Sequence, residues 1–173
     1  FDAHAVVETY RAEAEERGIE MPAEFKVAHE FSERIKAARG PQQPVPCHND
    51  LLNANFLDDG EIRIVDWEYA GMGDRFFDLA NFSVNHDLSA ADDARFLGAY
   101  FGVEREVDVA ALRLMHFMSD FREAMWGVLQ GGISELDFDF KQYASKHFAR
   151  MLATARDPDF DDYLTTVAGV TQR

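Results

Sequence analysis

The 173-residue sequence predicts one α+β domain, mostly helical, with a single small β-hairpin near its centre. Three observations carry this expectation. Apolar residues recur at helical spacing over most of the chain. Two short apolar runs flank an Asp-Asp-Gly turn. A composition of 47% hydrophobic and 13% aromatic residues is enough for a core.

Start and stop signals define the elements in order. Asp2 is a good N-cap for a helix over 3–17 that Gly18 ends, and a second helix over 22–38 is stopped by Gly40 and Pro41. The link PQQPVP then takes an extended path, because proline and the residue before it avoid helical dihedrals. Residues 54–57 and 62–67 flank Asp58-Asp59-Gly60 and read as the strands of the hairpin, the only β structure expected. Helical periodicity resumes over 74–85, 89–100, 108–130, 139–156 and 160–167.

Charge and length exclude several function classes. A formal charge of −15 repels phosphate backbones, and no basic stripe interrupts it, which argues against nucleic-acid binding. No apolar run reaches the length of a membrane span, and Cys47 is the single cysteine, so a reduced, cytoplasmic setting without membrane contact is expected. Under that expectation the sequon at Asn81 carries no glycan.

The chemistry concentrates in PCHNDLLNANFL, residues 46–57. His48, Asp50 and Asn55 stand in an HxDxxxxN spacing on the approach to the hairpin, and Asp66 lies at its far end. Because a hairpin joins its ends, Asp50, Asn55 and Asp66 should surround one point. Oxygen donors of this kind suit Mg²⁺, which completes its shell with water and phosphate. Asn55 and Asp66 would hold the ion, leaving Asp50 to accept a proton, as in phosphoryl transfer. His48 is assigned to steadying the loop. The plainer alternative is a polar turn followed by a hairpin tip.

With IVDWEYAGMGDRFFDLAN and WGVLQGGISELDFDFKQYASKHFARM, this stretch resembles the choline/ethanolamine kinase and aminoglycoside phosphotransferase group of the protein-kinase-like fold. The resemblance implies the C-terminal lobe of such a kinase, with ATP as phosphate donor, Mg²⁺ as metal and a small cationic amino alcohol as acceptor. It implies Asp50 as catalytic base, Asn55 and Asp66 as metal ligands, and Glu68 as an auxiliary carboxylate. Asp78 corresponds to a buried aspartate that ties down the catalytic loop. A helix-terminal acid is its simpler reading.

The family holds quaternary ammonium groups with aromatic rings, and Trp126 and Tyr143 match two such positions. Leu114, Met118, Phe121, Met125 and Val128 form an apolar stripe at helical spacing, with Trp126 off it beside Ser119, Arg122 and Glu123. Glu123 stands where animal-type choline kinases carry a pocket tryptophan, and Asn85 where they carry a glutamate. Both are therefore substrate-pocket candidates, while Phe138 and Phe140 read as core.

A glycine-rich phosphate loop and a strand lysine are not found, since Lys26, Lys36, Lys141 and Lys146 all fall in helical segments. The chain reads as the acceptor half of a small-molecule kinase, residues 1–173 forming one lobe without its nucleotide lobe and having weak or no activity alone. The surface such a lobe would cover offers a route to a homodimer. An aminoglycoside kinase and a non-catalytic cation-binding fragment are the alternatives.

Overall fold

The computed structural model describes the backbone of residues 1–171 and the side chains of residues 1–169. In chain order the helices are α1 (Ala3–Glu16), α2 (Glu24–Arg39), α3 (Arg75–Asn85), α4 (Ala90–Phe101), α5 (Glu106–Ile133), α6 (Phe140–Ala155) and α7 (Phe160–Thr171). The strands are β1 (Val45–Cys47), β2 (Phe56–Asp58), β3 (Ile62–Ile64) and β4 (Gly71–Gly73).

The helix ends obey their sequence signals. Asp2 accepts the amides of His4 and Ala5, and Ser89 and Asp92 form a reciprocal capping box. Gly102 closes α4 with φ +73°, a conformation that costs glycine nothing.

The β structure is richer than one hairpin. β2 and β3 pair antiparallel across the Asp-Asp-Gly turn, but a second ladder joins β1 to β4, with Val45 opposite Gly73 and Cys47 opposite Gly71. The proline link was expected only to extend; it also becomes a strand. This is compatible with Pro46 because β1 has a partner on one side alone, so a missing N–H breaks no central ladder. Segments 53–55 and 67–69 are 3₁₀ turns rather than the outer ends of strands.

The core is built on α5, against which α1, α3, α6 and α7 pack. Its expected stripe is confirmed in Leu114, Met118, Phe121 and Met125, all with no exposure. Burying each such side chain contributes about 1.5–3 kcal/mol. The polar flank off that stripe is also inside: Ser119 and its neighbour Asp120 are fully buried, and Arg122 and Glu123 nearly so. A helix buried all round needs partners for those groups, and the loop after β1 supplies several.

His116, buried on α5, faces Asp93, Arg113 and Arg150, and burial pushes its pKa down to about 3, with the two arginines adding to the effect. The folded chain keeps it neutral while the unfolded chain binds a proton below about pH 6.5. Its contribution is therefore complete above that pH and declines toward pH 3, by at most about 1.4 kcal/mol per pH unit. The carboxyl of Asp93, raised by burial, opposes this trend as the pH falls through its own titration. His116→Gln should flatten the loss of stability between pH 7 and pH 5 by about 1.5–2 kcal/mol, measured by urea denaturation.

Candidate active site

The loop after β1 is fixed by its backbone. The Asp78 carboxylate accepts the amides of His48 at 2.6 Å and Asn49 at 2.7 Å, so an acid in the first turn of α3 reaches across to the loop. Burial raises the Asp78 carboxyl, against the pull of those two amides. Asn81, one turn later, accepts the Leu51 amide at 2.5 Å and donates to Ser119 at 3.1 Å. Asn81 is fully buried, so its side chain is a loop anchor that the sequon pattern concealed.

These anchors hold an unusual backbone. Asn49 has φ +67°, and its side chain donates to the Tyr69 carbonyl at 3.0 Å. The nearby Gly73 leaves little room for a Cβ, which would lie 3.1 Å from the Phe1 carbonyl oxygen and 3.3 Å from Asn49 Oδ1. His48 is buried, with Nε2 at 3.0 Å from the Val65 carbonyl oxygen and its ring against Trp67 at 4.6 Å between centroids. His48 therefore ties the loop to the segment after β3.

The Asp50 side chain sits between two donors. Arg122 Nη2 donates to Oδ1 at 3.1 Å, and Asn55 Nδ2 donates to Oδ2 at 3.1 Å and to the Asp50 carbonyl at 2.8 Å. Turning Nδ2 toward Asp50 leaves the Asn55 Oδ1 pointing elsewhere. The Val65 amide donates to the Asn55 carbonyl at 3.0 Å, bringing Asp66 alongside Asn55. Asp66 is exposed, with the left-handed φ of +64°, and its carboxylate makes no hydrogen bond among the described residues. Glu68 is exposed on the following 3₁₀ turn.

Among the described residues no group of three or more His, Cys, Asp or Glu is placed to hold a metal. The Asn55 amide oxygen and the free Asp66 carboxylate nevertheless fit Mg²⁺, which takes few protein oxygens and keeps water and phosphate.

The predicted pocket residues fall into two groups. Trp126 packs edge-on against Tyr143 at 5.5 Å and Phe140 at 5.7 Å, and Phe138 lies 5.8 Å from Tyr143. Phe140 is buried as expected, but Phe138 is 53% exposed and belongs to the outer side of this aromatic cluster rather than to the core. Its place after α5 depends on how the 134–139 loop turns back, which residue spacing does not reveal. Tyr143 donates its hydroxyl to Glu123 at 2.6 Å, and burial, then the Glu123 charge, raises its pKa.

Glu123 itself is 2% exposed, beneath the cluster rather than on its surface. Asn85 is not in contact with the aromatics. It meets Arg150 at 3.5 Å, and Arg150 binds Asp120, which accepts from His147, whose ring packs on Tyr143. Arg122 was not singled out beforehand as a site residue. Burial would lower its pKa, but Glu123 and Asp50 outweigh this and raise it.

The sequence matches known proteins across the same elements. The phosphotransferase enzyme family matches residues 4–115. Human ethanolamine kinase 2 is 33% identical over 124 residues, covering 59% of this chain and 32% of that protein. The probable choline kinase 2 of Arabidopsis thaliana is 27% identical over 139 residues, covering 62% of this chain and 39% of that protein. The matched segments thus span about a third of the length of these relatives.

Among solved structures, a choline/ethanolamine kinase family protein from Mesorhizobium loti has a TM-score of 0.88 at 32% identity, covering 97% of this chain and 59% of that one. Choline kinase LicA from Streptococcus pneumoniae, at 20% identity and a TM-score of 0.69 over 89% of this chain and 55% of that one, shares the fold. With the family match over most of its length, the chain belongs to the phosphotransferase enzyme family, and it shares its fold with the choline/ethanolamine kinase family protein from Mesorhizobium loti.

Proposed function

We propose that this chain supplies the acceptor and metal half of an ATP-dependent kinase that phosphorylates the hydroxyl of choline, ethanolamine or a related amino alcohol. The observation that carries the reading is the Asp50 carboxylate, oriented by Arg122 on one oxygen and by Asn55 on the other. Asp50 accepts the proton of the acceptor hydroxyl as its oxygen attacks the γ-phosphorus. The bond from that phosphorus to the β,γ-bridging oxygen breaks, and ADP leaves. Asn55 and Asp66 would hold Mg²⁺, which supplies charge neutralisation on the phosphates when bound. Glu68 lies on the same rim. A nucleotide lobe from outside residues 1–173 completes the site, so the isolated chain turns over little or no ATP.

The aromatic cluster supports a cationic acceptor. Trp126, Tyr143 and Phe138 present ring surface, and the buried Glu123 beneath adds a negative field. Asn85, neutral and turned to Arg150, adds no negative charge to that side of the cluster. Trp126→Ala should raise KM for the amino alcohol by about 10- to 30-fold with kcat changed less than about threefold. Steady-state kinetics on the complete encoded protein check this.

The reading as a whole is tested by phosphate transfer from ATP to choline, ethanolamine and kanamycin by the complete encoded protein. Turnover of the amino alcohols supports it. Turnover of kanamycin alone, or of none of the three, overturns it.

A further inference from the structure

Two arginines on the helical core, the buried Arg122 and the half-buried Arg150, serve different ends. Arg150 is matched to its partners: Nε reaches both oxygens of Asp120 at 2.9 and 2.8 Å, Nη2 lies 2.7 Å from the same carboxylate, and Nη1 donates to the Val84 carbonyl at 2.7 Å. That is the bidentate geometry of a structural pair.

Arg122 is arranged otherwise. Its Nη2 alone meets the Asn49 carbonyl at 2.7 Å, Asp50 Oδ1 at 3.1 Å and Glu123 Oε1 at 3.0 Å. Its Nε is buried with no hydrogen-bond partner, and Glu123 Oε1, though within ion-pair distance, is not aligned to accept a hydrogen bond. The side chains of Arg122, Asp50 and Glu123 are 4%, 11% and 2% exposed. Two carboxylates therefore share one guanidinium in a nearly dry cluster that carries excess negative charge. Such a group is poorly satisfied as a structural pair, because a buried charge is stabilised only by full and well-aligned partners.

We propose that Arg122 is a positioning residue that divides its charge between Asp50 and Glu123, so that a cationic acceptor held over Glu123 strengthens the hold of Arg122 on Asp50. This rests on the reading of Asp50 as the base. A cation near the Tyr143–Glu123 pair competes with Nη2 for Glu123. Nη2 then bonds Asp50 and the Asn49 carbonyl with less competition, and the catalytic loop is fixed for transfer. The charge of the acceptor is thus expressed in kcat as well as in binding, which follows only if the bound and free states treat Arg122 differently. The same arrangement places Arg122 as a specificity determinant against neutral alcohols.

The test is a double-mutant cycle on the complete encoded protein with ethanolamine as acceptor. Arg122→Met should lower kcat about 100-fold with KM for ATP within about threefold, and Glu123→Gln should lower kcat about 10-fold. Placed together, Glu123→Gln should change the kcat of Arg122→Met by less than about twofold, because the cation that links the sites is gone. Independent effects that multiply would overturn the proposal. Should Arg122→Met leave too much buried charge to fold, the comparison passes to Arg122→Lys and Arg122→Met/Glu123→Gln, with folding checked by circular dichroism. The lysine variant should keep kcat within about 10-fold of wild type and the double variant fall about 100-fold. Equal kcat in the two would overturn the proposal. An active Asp50→Asn control, or a wild type inactive on ethanolamine, would strike the reading of Asp50 itself and the proposal with it. A dead control with multiplicative effects would sink the role of Arg122 alone.

Discussion

Asp50→Asn in the complete encoded protein lowers kcat for ethanolamine by about 10³-fold, inside the 10²–10⁴ range expected when a positioned proton acceptor is lost. KM for ATP should change little, because on the proposed reading Asp50 serves the acceptor rather than the nucleotide. The replacement is nearly isosteric, yet its amide meets a donor on each side: Arg122 Nη2 at Oδ1 and Asn55 Nδ2 at Oδ2. Whichever way the new amide turns, one N–H points at another donor, at a stability cost of about 1–2 kcal/mol. Stopped-flow or coupled assays give kcat, and thermal unfolding shows that the variant remains folded. A kcat within about threefold of wild type would remove Asp50 from the chemistry.

The largest stability effect outside the apolar core is expected at Asp78. Asp78→Ala leaves the His48 and Asn49 amides without their acceptors, beneath a loop whose Asn49 already has a positive φ. An unsatisfied buried donor costs about 1–3 kcal/mol, so a total loss of about 3 kcal/mol is expected, or roughly 6–12 °C in Tm for a domain of this size. Since those amides flank Asp50, kcat should fall by more than about 10-fold even at temperatures where the variant is folded. Asp78→Asn, which keeps one carbonyl oxygen, should lose less on both counts. Differential scanning calorimetry together with kcat at low temperature separates the two effects. A variant with unchanged Tm would mean that the loop is held by Asn81 and Arg122 without Asp78.

How far the sequence reached depended on the range of the interactions. Caps, stops and the Asp-Asp-Gly hairpin were legible because each is decided within a few residues: Asp2, Ser89, Gly102 and the 58–60 turn all behave as their types require. The β1–β4 ladder was not legible, since Pro46 meets Met72 only after the hairpin has folded back. Nor was the outward placement of Phe138 legible in the spacing; its 53% exposure follows from the turn ahead of α6.

For the site, the sequence by itself determined which residue types are available and their local order: an aspartate, an asparagine five positions later, and an acid beyond the hairpin. The tertiary structure decided how those residues are held. Asp78 and Asn81 reach the loop from α3, and Arg122 reaches it from the polar flank of α5, off the apolar stripe. An amphipathic pattern counts polar residues as solvent-facing, but a polar face can be buried when another segment brings matching hydrogen-bond groups to it. Here that segment is the loop after β1, some seventy residues earlier, with Arg122 bonded to Asn49 and Asp50 at separations of 73 and 72 residues. Long-range charge pairing of this kind has no local sequence period, which is why only the folded chain shows it.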